Sequence, residues 1–121
     1  MLVYALEEIV AEKLRALLQS EARRLKRGWT RPRAREFYDL WRILGDLHKD
    51  IDSTVIPAVL RKKCEVRSVL FSSADDFFAE GLLAEMDAAW AQSLAPLVSD
   101  LPPLSKVLSE LRPKVERLLA E

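Results

Sequence analysis

Leu6-Glu7-Glu8-Ile9-Val10-Ala11-Glu12-Lys13-Leu14-Arg15-Ala16-Leu17-Leu18-Gln19 opens a stretch that runs to about Lys26 without a glycine or a proline. Within it Leu6, Ile9, Val10, Leu14, Leu17 and Leu18 recur at three- and four-residue intervals, the spacing that lines one side of an α-helix. This predicts an amphipathic helix over 6–26, whose apolar side needs partners to cover it. The same period returns downstream. Gly28 and Pro32 bracket a short loop, after which Ala34, Phe37, Leu40, Trp41, Leu44 and Leu47 predict a second helix over 33–48. Residues 53–64 predict a short third helix, either regular only after Pro57 or with an irregular first turn, because proline is tolerated in a first turn and not further in.

Val66 to Phe71 is apolar but has no pairing partner elsewhere in the chain, so it is expected to be a loop. Ser73 or Asp75 can cap a long helix to about Leu97, with Leu83, Met86, Trp90, Leu94 and Leu97 along one stripe and Phe77, Gly81, Ala84 and Ala88 along a second. Two buried faces would make this the central helix. Beyond Pro96 and Pro102-Pro103, Leu104, Leu108, Leu111, Val115 and Leu118 predict a last helix, kinked or split at Pro113. Two-residue alternation is nearly absent. The expectation is an all-α fold, a compact bundle of four to five helices formed by one domain over 1–121, with Leu6, Leu17, Phe37, Trp41, Leu44, Leu83, Trp90, Leu111 and Leu118 in the core.

Half of the 121 residues are apolar and 31% are charged, a globular balance rather than that of a disordered chain. Nineteen basic and nineteen acidic side chains cancel, so attraction to nucleic acid has to come from a local cluster. Cys64 is the only cysteine, which rules out an intrachain disulfide and points to a reducing, cytoplasmic setting. The N-terminal residues carry no basic leader, and no uncharged run approaches the roughly 20 residues that span a bilayer, so neither export nor membrane insertion is expected. With three glycines, no Gly-rich phosphate loop can be written.

Three charged residues break the helical pattern. Lys13 falls within the stripe of Leu6, Ile9, Val10 and Leu17. An amine there either lays its stem on the apolar surface with its nitrogen in water, or points into a cleft to meet an anion. Glu36 projects into the sector of Leu40, Ile43 and Leu47, and Asp39 lies at that sector's edge between Arg35 and Arg42. Such carboxylates can pair with a lysine, hold a metal or orient a substrate hydroxyl, and Asp39 can equally form an ordinary helical ion pair with Arg35. Arg23, Arg24, Lys26, Arg27, Arg31, Arg33 and Arg35 crowd the end of the first helix and the loop after it, with Trp29 among them. Guanidiniums beside an aromatic suit phosphate contact and base stacking, although cations at a helix C-terminus also simply complement its dipole. His48, Cys64 and the scattered serines show neither metal-ligand spacing nor a catalytic triad.

The run Tyr4 to Gln19 resembles a segment of the AbiEii/AbiGii toxin family, whose members typically read leEilAeKlrALlqR there. A family helix of the form RDlyDLw is matched by Arg35-Glu36-Phe37-Tyr38-Asp39-Leu40-Trp41, and the tail from Trp90 through Leu101-Pro102 to the final helix is similar to the family's C-terminus. The resemblance implies the second, helical lobe of a two-lobed nucleotidyltransferase of type IV toxin-antitoxin systems. The glycine-serine loop and paired aspartates of the first lobe, which bind metal and nucleoside triphosphate, are not in this chain. Lys13 matches the motif lysine and Asp39 the second motif aspartate. Glu36 stands where the first aspartate is usual, a methylene longer.

The resemblance therefore implies Lys13, Glu36 and Asp39 as contributors to a catalytic cleft, and the local basic cluster makes Arg23, Arg24, Arg27, Arg31, Arg33 and Arg35 the candidate phosphate or nucleic-acid contacts. It implies no cofactor held by this chain alone, with nucleoside triphosphate and magnesium bound in an intact parent. The implied partners are the missing N-terminal lobe, an antitoxin, and a tRNA or protein acceptor. By itself the chain is expected to be catalytically silent. The alternative is a free-standing helical module that binds an antitoxin, a partner subunit or RNA.

Overall fold

In the computed structural model, which describes residues 5–28 and 33–120, five α-helices follow one another: α1 (Ala5–Arg27), α2 (Ala34–Asp46), α3 (Ile56–Val66), α4 (Glu80–Leu94) and α5 (Leu104–Leu119). Short 3₁₀ turns at His48–Asp50, Ser53–Val55 and Ala74–Phe78 join them, and the described residues contain no strand. The all-α bundle read from the periodicity is the fold observed.

Helix α1 ends where the sequence supplies a residue free to adopt left-handed backbone: Gly28 has φ +85°, and its N–H bonds the carbonyl of Arg24 at 2.7 Å. Asp52 caps the 3₁₀ turn at Ser53–Val55, its carboxylate accepting the Thr54 N–H at 3.1 Å, and α3 follows directly with Pro57 in its first turn. Ser73 and Asp76 form a reciprocal capping box around the turn at 74–78. The Asp76 carboxyl accepts the Ser72 N–H at 2.7 Å and the Ser73 N–H at 3.2 Å. The backbone hydrogen bond from Ser72 outweighs the opposing cost of burial, and with the Ser73 N–H it holds the Asp76 carboxyl below its ordinary range.

Helices α1 and α2 run antiparallel, since Lys13 meets Asp39 while Ser20, further on, meets Arg33 further back. Helix α3 runs alongside α1 in the same direction and makes its most extensive contact. Ring contacts between Phe37 and Phe78, with centroids 5.8 Å apart, and between Tyr38 and Trp90, 6.5 Å apart, tie α2 to the 74–78 turn and to α4. The Trp90 indole donates to the Pro102 carbonyl at 2.9 Å and so fixes the loop before α5.

Of the nine expected core residues, Leu17, Phe37, Leu44, Trp90 and Leu111 are buried, and Leu6, Trp41, Leu83 and Leu118 are half-buried. The single long helix expected to begin at 73–75 and run to Leu97 is instead two elements broken at Ala79, whose ψ of 135° leaves the helical region. The break lets the adjacent Phe77 and Phe78 both enter the core, which successive positions on one helix would set about 100° apart. On α4 the buried stripe is Leu82, Met86, Trp90 and Leu94, not the one through Leu83 and Leu97, and Leu97 is exposed. Ala84 and Ala88 are exposed as well, so α4 has one buried face and is not the central helix. Helix α5 runs through Pro113 as one element.

Candidate functional site

Helix α1 carries the chemistry that the sequence singled out, and Val10, Leu14, Leu17 and Leu18 of the expected stripe are buried, but the buried side is turned slightly from the expected one. Ile9 is exposed, whereas Ala11 and the carboxylate-bearing Glu7 are buried. Lys13 therefore lies at the edge of the apolar side and not at its middle. From there its ammonium crosses to α2 and bonds Asp39 Oδ2 at 2.9 Å, with 21% of the lysine side chain and 33% of the aspartate side chain still exposed. Asp39 is thus paired across the helix interface and not with Arg35. Glu36, one turn earlier on α2, is half-buried and makes no hydrogen bond or ion pair among the described residues.

A second polar cluster, unforeseen from the sequence, lies where α1 meets α3. Arg15 has only 11% of its side chain exposed and bonds both Glu12 and Gln19, while its Nε is buried without a hydrogen-bond partner. Lys63 approaches Glu12 at 3.5 Å. Burial raises the Glu12 carboxyl, but the hydrogen bond and charge of Arg15, reinforced by Lys63, outweigh it and hold the group below its ordinary value. Cys64 sits beside this cluster, packed in the core; burial pushes its thiol up, opposed by the charges of Arg15 and Arg61. Glu7 is another residue the sequence reading passed over. Its Oε2 accepts the Asp52 N–H at 3.1 Å, so the carboxylate anchors the chain just before α3.

The arginine cluster divides. Arg24 is held by Glu21, with Nε to Oε1 at 2.5 Å, and its guanidinium occupies the space that a Cβ at Gly81 of α4 would need. Arg33 donates from Nε to the buried Ser20 hydroxyl at 2.6 Å. These two cations fasten α1 to its neighbours. Arg23, Lys26, Arg27 and Arg35 are exposed and remain at the surface, whereas Arg31 and Trp29 lie outside the described residues. Among the described residues no group of three or more His, Cys, Asp and Glu is placed to hold a metal ion. Glu36 and Asp39 are two carboxylates one turn apart on α2, and Asp39 is engaged by Lys13. Among those residues no helix is long and apolar enough to cross a membrane.

A family profile described as "Nucleotidyl transferase AbiEii toxin, Type IV TA system" matches residues 1–121, the whole chain. The chain belongs to the AbiEii toxin family. No curated protein and no solved structure matches it. AbiEii membership places the chain among type IV toxin-antitoxin proteins, for which an antitoxin is the partner to expect. It also gives the Lys13–Asp39 contact a setting, because the motif lysine and the second motif aspartate of the AbiEii resemblance are the two residues that meet across α1 and α2.

Proposed function

We propose that this chain is the helical lobe of an AbiEii-type nucleotidyltransferase, contributing phosphate- and acceptor-binding groups to a cleft completed by a metal-binding lobe. The observation that carries the reading is the ion pair between Lys13 and Asp39, 2.9 Å long and open to solvent on both sides. A part-exposed lysine held on a carboxylate can exchange that partner for a phosphate oxygen without a large desolvation penalty. Asp39, released in the exchange, becomes free to accept a hydrogen bond from an acceptor hydroxyl. A nucleoside triphosphate with magnesium, when bound, supplies the electrophilic phosphorus, and the magnesium ligands fall to the other lobe. The exposed Arg23, Arg27 and Arg35 are the side chains assigned to a phosphate-bearing acceptor such as tRNA, with Arg31, which lies outside the described residues, assigned from the sequence alone.

Purified 1–121 incubated with labelled nucleoside triphosphates and magnesium is expected to incorporate no label into RNA or protein. Incorporation that disappears in Lys13→Ala would overturn this division of labour. Supplying a lobe that bears the paired aspartates should restore transfer, and Lys13→Met in that assembly should abolish it while the helical spectrum stays unchanged.

A second reading, a helical module that docks an antitoxin, has one feature in its favour: Val66 is 79% and Leu70 90% exposed, on either side of the end of α3. Apolar side chains left this open favour a protein contact. Leu70→Lys should then weaken antitoxin capture and leave nucleotide binding untouched.

A further inference from the structure

A second collection of cations lies at the far end of α2 and shares no residue with the Lys13–Asp39 pair. Helices α2 and α5 run side by side in the same direction, with the Trp41 indole donating to Glu110 at 2.7 Å and Gly45 lying next to Lys114. Where α2 ends, the chain turns through His48–Asp50, and a hollow of about 440 Å³ opens between that turn and the last two turns of α5. Leu44, Ile51 and Leu118 form its apolar wall, and His48, Lys114 and Arg117 its polar one. No carboxylate is among the described residues that line it.

The charges of this wall are poorly matched from within the chain. Lys114 is half-buried and forms no ion pair or hydrogen bond among the described residues. Among the described residues Arg117 reaches only the Pro113 carbonyl, at 3.5 Å. The Nδ1 of His48 stands 2.9 Å from the Gly45 carbonyl oxygen. That oxygen can only accept, so Nδ1 carries the hydrogen and Nε2 is left for another partner. Lys114 also borders a neighbouring hollow that Asp46, Asp100 and Glu110 line, without forming an ion pair there among the described residues. A half-buried ammonium beside a guanidinium, with no described carboxylate bonded to it, is an arrangement that an external anion completes.

We propose that this hollow binds a small organic phosphate monoester, with its phosphate on Lys114 and Arg117 and its apolar body against Leu44, Ile51 and Leu118. A guanidinium presents a fork that matches two phosphate oxygens, and an ammonium adds a compact third donor. The volume is in the range of small-molecule sites, and the aliphatic wall gives the non-ionic part of the ligand somewhere to leave water. The site is separate from the cleft assigned above. Gly45 lies about 9 Å along α2 from Asp39 and roughly 240° round the helix.

The test is an amide-resolved NMR titration of chain 1–121 with phenyl phosphate, with inorganic phosphate and benzyl alcohol as parallel arms. Saturable shifts should fall on residues 44–53 and 114–118, with phenyl phosphate binding about tenfold or more tighter than either half alone. Lys114→Gln and Arg117→Gln should each weaken it about tenfold, the loss of one charge-assisted hydrogen bond. Arg117 is exposed, so its variant keeps the fold even if the other does not. No saturation at millimolar phenyl phosphate, shifts centred on Lys13 and Asp39, unchanged affinity in a folded variant, or inorganic phosphate binding equally well would each overturn the proposal.

Discussion

Helices α1 and α5 are built from the same kinds of residue and treat their charges in opposite ways. On α1, Glu7, Glu12, Lys13, Arg15, Glu21 and Arg24 all have hydrogen-bonding or ionic partners, and four of these residues reach other parts of the chain: Asp52, Lys63, Asp39 and the face of Gly81. On α5, Arg112 pairs with Asp75 and Glu110 takes the Trp41 indole, but Lys114 and Arg117 face a hollow without a carboxylate. The reason is position. Helix α1 packs against α2, α3 and α4 with a broad buried face, whereas α5, though it meets α2, α3 and the 74–78 turn, buries only the narrower stripe Leu104, Val107, Leu111 and Val115. A helix with a broad buried face has to satisfy its polar groups internally, because an unpaired buried charge is costly; one with a narrow stripe can leave cations for a ligand.

The largest test of that contrast is in packing. Leu14→Ala, at a fully buried position of α1, should destabilise the chain by about 2–5 kcal/mol in urea unfolding. Leu118→Ala, half-buried at the rim of α5, should cost about 1 kcal/mol or less, and equal losses would erase the distinction between inner and outer helix.

Capping gives the next effect. Asp76→Asn should cost about 1 kcal/mol near neutral pH, since it weakens the capping box before α4. The Asp76 pKa is depressed in the folded state, so its contribution is fully present above the ordinary aspartate value of 3.8 and is lost as pH falls through the lower folded value. The gap between wild type and variant should therefore close below about pH 3.8; a gap that widens in acid would contradict the assignment.

Lys13→Met should cost less than about 1 kcal/mol, because both partners of its ion pair keep part of their surface in water. A loss of several kcal/mol would make Lys13 a structural pin like its neighbours on α1 and would remove the basis for a phosphate-binding role. The smallest effect concerns Gly81. Gly81→Ala gains helix propensity worth at most about 1 kcal/mol, yet its new Cβ must displace the Arg24 guanidinium. The gain should be larger in an Arg24→Ala background than in the wild type, and equal gains would mean that the arginine does not need that glycine.

By itself the sequence determined the number and rough limits of the helices, because a 3.6-residue period is written in the chain and glycine and proline punctuate several of its turns, although neither marks the break at Ala79. Motif order also singled out Lys13 and Asp39. What periodicity could not fix was the direction each face points. An apolar stripe about 100° wide tolerates a rotation of one residue, and such a rotation exposed Ile9, buried Glu7 and exchanged Leu83 for Leu82 on α4. Only the tertiary structure decided that Asp39 answers Lys13 and not Arg35, that Arg15 turns inward to Glu12 beside Cys64, and that Lys114 and Arg117 meet His48 around one hollow. The helices that frame this hollow are tied by Trp41 and Glu110, which stand 69 positions apart. Pairing over such a separation depends on how whole helices dock, which spacing along a single helix does not encode.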